Sequence, residues 1–260
     1  MLVKALLFKL DDVLCSEAQV TMGLYHKAVP RICRRRGSPP ERALLLHLLE
    51  HQEEGRATEA WKGLYADFPG FARVVSYYDL REIVNSTVPL AVTYRGIPEM
   101  AHLLRSAGVL TGVMAGRHDR RQPNKVTALY LESLFDRVIY TDYLAADPAE
   151  ALVEALSDLR REWVEQLGEG EIAYIADDPA VDFPAARKAG YRTLRLRLPE
   201  TTHERDEPRA PDQVPEREFT SVPDLVRALC KNFQLDPAHA LPGEWNYYLK
   251  PRPWGPLASH

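Results

Sequence analysis

Short apolar runs of strand length, each separated from the next by a helical stretch, constrain this chain more than any other feature. The runs are residues 2–8, 109–114, 138–140, 172–176 and 192–196, and branched or aromatic side chains recur in them, as expected on a pleated surface. Between them, residues 97–107, 125–134, 148–161 and 182–189 place apolar side chains three and four apart, and Gly108 and Gly190 close two of these stretches as helix stops. Strands that alternate with helices of this length connect by right-handed crossovers. The fold class predicted is therefore α/β, with a mostly parallel, Rossmann-like sheet covered by helices on both faces.

Residues 15–90 break the alternation. They read as helices without strands, at 20–35, 41–54, 58–66 and 78–85. An insert leaving the end of the first strand sits over the carboxyl ends of the strands, where open α/β sheets bind their ligands, so it is placed to act as a cap. The organisation expected is a core of residues 1–14 and 91–229, a helical cap at 15–90 and a C-terminal arm at 230–260. Ten of the 20 prolines fall after residue 198, residues 201–218 read as a polar loop, and 223–230 as a last helix. The arm carries Trp245, Tyr247, Tyr248 and Trp254, rings expected to pack on this subunit or on a second copy rather than face water.

Composition excludes several functions. The formal charge is −4, from 33 basic and 37 acidic residues, which is not the balance of a general nucleic-acid binder. No apolar run approaches the roughly 18 residues of a membrane span. The first eight residues are too short for a secretory signal and are soon followed by Asp11 and Asp12, so a cytoplasmic location is expected. Cys15, Cys33 and Cys230 form no CxxC pair and are expected to be reduced thiols. Asn85-Ser86-Thr87 matches a glycosylation acceptor by pattern alone.

The first strand runs from Phe8 straight into Lys9, Asp11 and Asp12, and the run at 172–176 ends in Asp177 and Asp178, with Asp182 shortly after. Two strand ends thus deliver carboxylates to one edge of the sheet, and Mg2+ takes oxygen ligands at such a place. Asp177 and Asp178 are the candidate metal ligands. Asp182 is expected to cap the helix that follows.

These segments resemble the haloacid dehalogenase-like superfamily over residues 2–229. Residues 8–14 are similar to its first motif, 94–99 to the turn returning from its cap, 112–116 to its second motif, and 176–190 to its fourth. The resemblance implies a Rossmann-like core, an inserted helical cap and phosphohydrolase chemistry dependent on Mg2+. It also exposes departures. The position of the aspartate nucleophile holds Lys9, while Asp11 matches the general acid and base. The position of the phosphoryl-holding hydroxyl holds Met114, and that of the third-motif lysine holds Ala145. Lys125, on the preceding helix, is a candidate to replace that lysine.

An ammonium cannot attack phosphorus, so phosphoaspartyl turnover is not expected. Exchange of Asp for Lys moves the local charge by two, the charge of the metal, so Lys9 is expected to pair with Asp177, Asp178 or Asp11 and no cofactor is expected. Use of Lys9 as a Schiff-base amine is opposed by the same carboxylates. Arg117 and Arg120 are candidate phosphate ligands at the cap interface. The function expected is that of a catalytically inactive member that binds a protein partner, through cap, Arg34–Arg36 or arm, or a phosphorylated small molecule. The alternative is an active hydrolase, either a Mg2+-dependent phosphatase or a divergent enzyme using Asp11 as general acid and base.

Overall fold

The computed structural model describes residues 3–117, 121–142, 146–167 and 171–236. Six strands form one parallel sheet: β1 (Val3–Lys9), β2 (Leu110–Arg117), β3 (Arg137–Thr141), β4 (Glu171–Ala176), β5 (Arg192–Leu196) and β6 (Arg217–Phe219). Their order is β3-β2-β1-β4-β5-β6. The chain winds outward in one direction from β1 and then restarts on its other side at β4. The switch point, where such sheets open a crevice, therefore lies between the carboxyl ends of β1 and β4.

β6 falls at the end of the stretch expected to be a loop. It is three residues long, buries Phe219 on one side, and exposes Arg217 and Glu218, so it carries too little apolar pattern to be read from sequence.

The insert after β1 contains α1 (Glu17–Cys33), α2 (Glu41–Glu53), α3 (Ala57–Asp67), the single turn α4 (Phe71–Val74) and α5 (Tyr77–Asn85). Ser16 caps α1 by accepting from Gln19 N at 3.2 Å, and Ser76 caps α5 by accepting from Asp79 N at 3.1 Å. These helices bury a cluster of their own, including Tyr25, Ile32, Leu44, Leu64, Phe71 and Leu80. Where the chain returns to the core it crosses α1 at Gly23. A Cβ there would lie 1.8 Å from the Leu90 carbonyl oxygen, so only glycine allows the crossing.

The remaining helices are α6 (Ile97–Ser106), α7 (Arg121–Ala128), α8 (Leu131–Leu134), α9 (Pro148–Leu167), α10 (Asp182–Lys188) and α11 (Val222–Phe233). The stretch 125–134, expected as one helix, is two, because Tyr130 adopts φ 55° between them and a left-handed residue ends an α-helix. α9 runs beyond the expected 161, since Trp163 continues its apolar face past a charged run. α11 likewise continues to Phe233, so residues 230–233, assigned above to the arm, belong to the helix. The aromatic arm itself lies outside the described residues.

Both faces of the sheet are buried, as continuous rather than alternating apolar strands require. On one face Leu6 and Phe8 of β1 and Ile175 of β4 pack with Met100 and Leu104 of α6 and Leu225 and Leu229 of α11. On the other, Ala5, Leu7 and Tyr174 pack with Leu156 and Trp163 of α9 and Phe183 of α10. Among the described residues no helix is long and apolar enough to cross a membrane.

Candidate functional site

The site forms where β1 and β4 end. Phe8 pairs with Ile175 in register and Lys9 with Met114, which sets Lys9 beside the end of β4. Period-two alternation puts Lys9 on the side of Leu7, the α9–α10 side. There its ammonium lies 2.7 Å from Asp177 Oδ1 and donates to Asp182 Oδ2 at 2.9 Å. The Asp177 contact is an ion pair without hydrogen-bond geometry, and neither carboxylate oxygen of Asp177 has a hydrogen-bond donor among the described residues.

The electrostatics follow from this packing. Burial acts against the charged form of Lys9, but Asp182 and Asp177 outweigh it and hold the ammonium above the ordinary lysine range. Burial pushes Asp177 up to about 6 in spite of Lys9. A Schiff-base lysine needs the neutral amine, which both partners oppose.

Asp182 was expected to cap α10. It is instead the first residue of that helix, and its carboxylate turns inward to Lys9, accepting also from Asp178 N at 3.2 Å. An uncompensated ammonium nearby makes a stronger partner than a backbone N–H. Asp178 turns the other way. It accepts from Ala180 N at 2.8 Å and Val181 N at 3.3 Å, with His203 Nε2 3.7 Å off.

The loop after β1 carries a second ion pair. Lys125 Nζ of α7 lies 2.6 Å from Asp11 Oδ1, so Lys125 faces the site rather than solvent. Burial disfavours its charge, and Asp11 more than compensates, raising it above the ordinary value. Asp12 lies beyond the end of β1 and turns away from Lys9. Its backbone is left-handed at φ 60°, and its carboxylate accepts from Glu17 N at 2.9 Å and Thr202 N at 3.0 Å, tying α1 to the β5–β6 connection.

Met114 is buried among the α9–α10 side chains and offers no strong donor. Arg117 ends β2, and its side chain, like all of Arg120 and Ala145, lies outside what is described. Sequence reasoning passed over Arg195. This fully buried guanidinium on β5 donates to the carbonyls of Asp177 at 3.1 Å, His203 at 2.8 Å and Asp206 at 2.7 Å, and meets Glu218 at 3.2 Å. The only sequence signal was a cation inside an otherwise strand-like run.

Mg2+ requires several oxygens directed at one point. Asp177 and Asp182 each turn one oxygen to the Lys9 ammonium, which sits where the ion would lie, and Asp178 gives one to its own turn, so these residues do not fit a Mg2+ site.

Residues 7–196 match the family model described as haloacid dehalogenase-like hydrolase. No curated protein matches the chain. Among solved structures, a HAD family hydrolase from Deinococcus radiodurans R1 with bound phosphate and sodium aligns with TM-score 0.52 at 21% identity, covering 91% of this chain and 99% of its own. A HAD-superfamily hydrolase of subfamily IA from Geobacter sulfurreducens aligns with TM-score 0.54 at 16% identity, covering 87% and 96%. The HAD-hydrolase YfnB of Bacillus subtilis, bound to magnesium, aligns with TM-score 0.52 at 13% identity, covering 88% and 99%. At these identities the likeness is one of fold.

Proposed function

The chain belongs to the haloacid dehalogenase-like hydrolases, and we propose that within that family it is a catalytically inactive member that acts by binding. The observation that carries this reading is the Lys9 ammonium set between Asp177 and Asp182. A covalent phosphoryl mechanism needs a carboxylate nucleophile and a cation to balance phosphate charge. Lys9 provides no nucleophile. It also occupies the place where the carboxylates could have gathered a metal. Asp11 remains, but its carboxylate is engaged by Lys125.

A protein partner suits the surface better than a phosphorylated ligand. Both site lysines are already paired, and Arg35 of the Arg34–Arg36 run pairs with Asp79 at 3.1 Å. By contrast Tyr77, Tyr78, Val88, Leu90 and Val92, all on α5 or the return from the insert, are exposed, and concentrations of apolar surface mark interaction sites.

The test is phosphate release from a broad panel of phosphomonoesters with Mg2+, with wild type run beside Asp11→Asn and Lys9→Asp. Silence of the wild type is expected. Turnover by wild type that disappears in Asp11→Asn would overturn the inactive reading.

A further inference from the structure

A second constellation lies in the insert. α2 presents His47 and His51 one turn apart on one face, and α3 presents Ala60, Gly63 and Asp67 against them. Potential ligand atoms of His47, His51 and Asp67, one from each, lie within 4.8 Å of one another. Both rings are buried, while the Asp67 side chain is 55% exposed.

Each imidazole gives one nitrogen to a backbone carbonyl. His47 Nε2 donates to Ala60 O at 3.1 Å, and His51 Nδ1 donates to His47 O at 2.9 Å. A carbonyl only accepts, so those nitrogens carry the protons, and in the neutral rings His47 Nδ1 and His51 Nε2 hold lone pairs. His47 Nδ1 then faces Asp67 Oδ2 at 3.3 Å. Two acceptors brought together in this way call for a cation between them. Gly63 lets the helices approach: a Cβ there would meet His47 Nε2 at 2.9 Å and His51 Nε2 at 3.1 Å.

We propose that His47 Nδ1, His51 Nε2 and the Asp67 carboxylate bind a divalent transition-metal ion of the zinc class. Two imidazoles and a carboxylate are a ligand set that Zn2+ takes, with a fourth position left to water on the exposed side of Asp67. The Ala60 and His47 carbonyls act as the outer-shell acceptors that set tautomer and ring orientation. The ion joins α2 to α3 and is independent of Lys9 and its carboxylates.

The full chain, stripped of metal with a chelator, is titrated with Zn2+ by calorimetry and with Co2+ by visible absorption. One ion per chain and intense Co2+ bands of tetrahedral type are expected. His51→Gln and Asp67→Asn each remove a direct ligand and should weaken binding by at least on the order of a hundredfold, no less than the loss of an outer-shell partner costs, whereas His26→Gln on α1 should leave it unchanged. Because a variant could misfold, the His47 and His51 ring nitrogens of the wild type are also followed by NMR, and Zn2+ should shift the unprotonated nitrogen of each. No uptake by wild type, uptake that survives both ligand changes, or rings unmoved by Zn2+ with His47 in the doubly protonated form would each overturn the site.

Discussion

Lys9 Nζ and Asp177 Oδ1 meet at 2.7 Å across the carboxyl ends of β1 and β4. With Asp182 as second partner, the ammonium neutralises carboxylates that would otherwise be buried without a counter-ion. Lys9 is thereby part of what holds the two strand ends together.

Lys9→Met should destabilise the protein. Removing one partner of a buried pair costs about 3 to 5 kcal/mol, and because 23% of the Lys9 side chain remains exposed the lower end, about 3 kcal/mol, is expected. Urea denaturation measures this. Added Mg2+ should recover part of the loss in the variant and do nothing for wild type, and a variant as stable as wild type would show that the pair does not hold the site.

Asp177 should title its own window of pH dependence. Its folded pKa of about 6 lies above the ordinary 3.8 because burial disfavours the carboxylate. The folded state therefore binds this proton more tightly than the unfolded state, and the contribution to stability is fully present below the ordinary value and lost as pH rises through about 6. Wild-type stability minus that of Asp177→Asn should fall across this interval and level off above it. A difference that rises with pH would contradict the assignment, as would a carboxyl carbon NMR midpoint at the ordinary value.

The Lys125–Asp11 pair is partly buried, with the two side chains 11% and 21% exposed. A double-mutant cycle with Lys125→Met and Asp11→Asn should give a coupling of about 1 to 2 kcal/mol, within the range for groups in direct contact. Strictly additive effects would mean that the pair contributes nothing.

Gly23→Ala should cost about 3 kcal/mol, the upper end of overpacking penalties, because the added Cβ meets the Leu90 backbone at 1.8 Å rather than a movable side chain. Thermal unfolding reads the effect. A shift of less than a degree or two would mean that the return segment of the insert is loosely held.

Legibility of the fold tracked how much apolar pattern each element carries. β1 and β4 are unbroken runs, and α6 begins at a glycine followed by Ile97 and Pro98, so all three could be read from sequence. β6 carries a single buried residue, and the break at Tyr130 depends on a backbone angle that a tyrosine does not announce. In the site, Lys9 stood out because motif spacing placed it where a carboxylate was expected. Asp182 looked like a helix cap because caps are local, whereas its partner is 173 residues away. Lys125 was already a site candidate from its place before the third motif, but its partner Asp11, 114 residues off in the chain, was fixed only by where α7 packs.

The amino-acid sequence alone determined the alternation of strands and helices, the helical insert after β1 and the lysine at position 9, because periodicity and residue identity are properties of the chain. Which carboxylates neutralise Lys9, that Asp12 serves as a clip, and that two helices of the insert bring His47, His51 and Asp67 together were decided by tertiary structure. Each depends on strand order and helix packing, and a charge separated from its partner by most of the chain has no local pattern to reveal it.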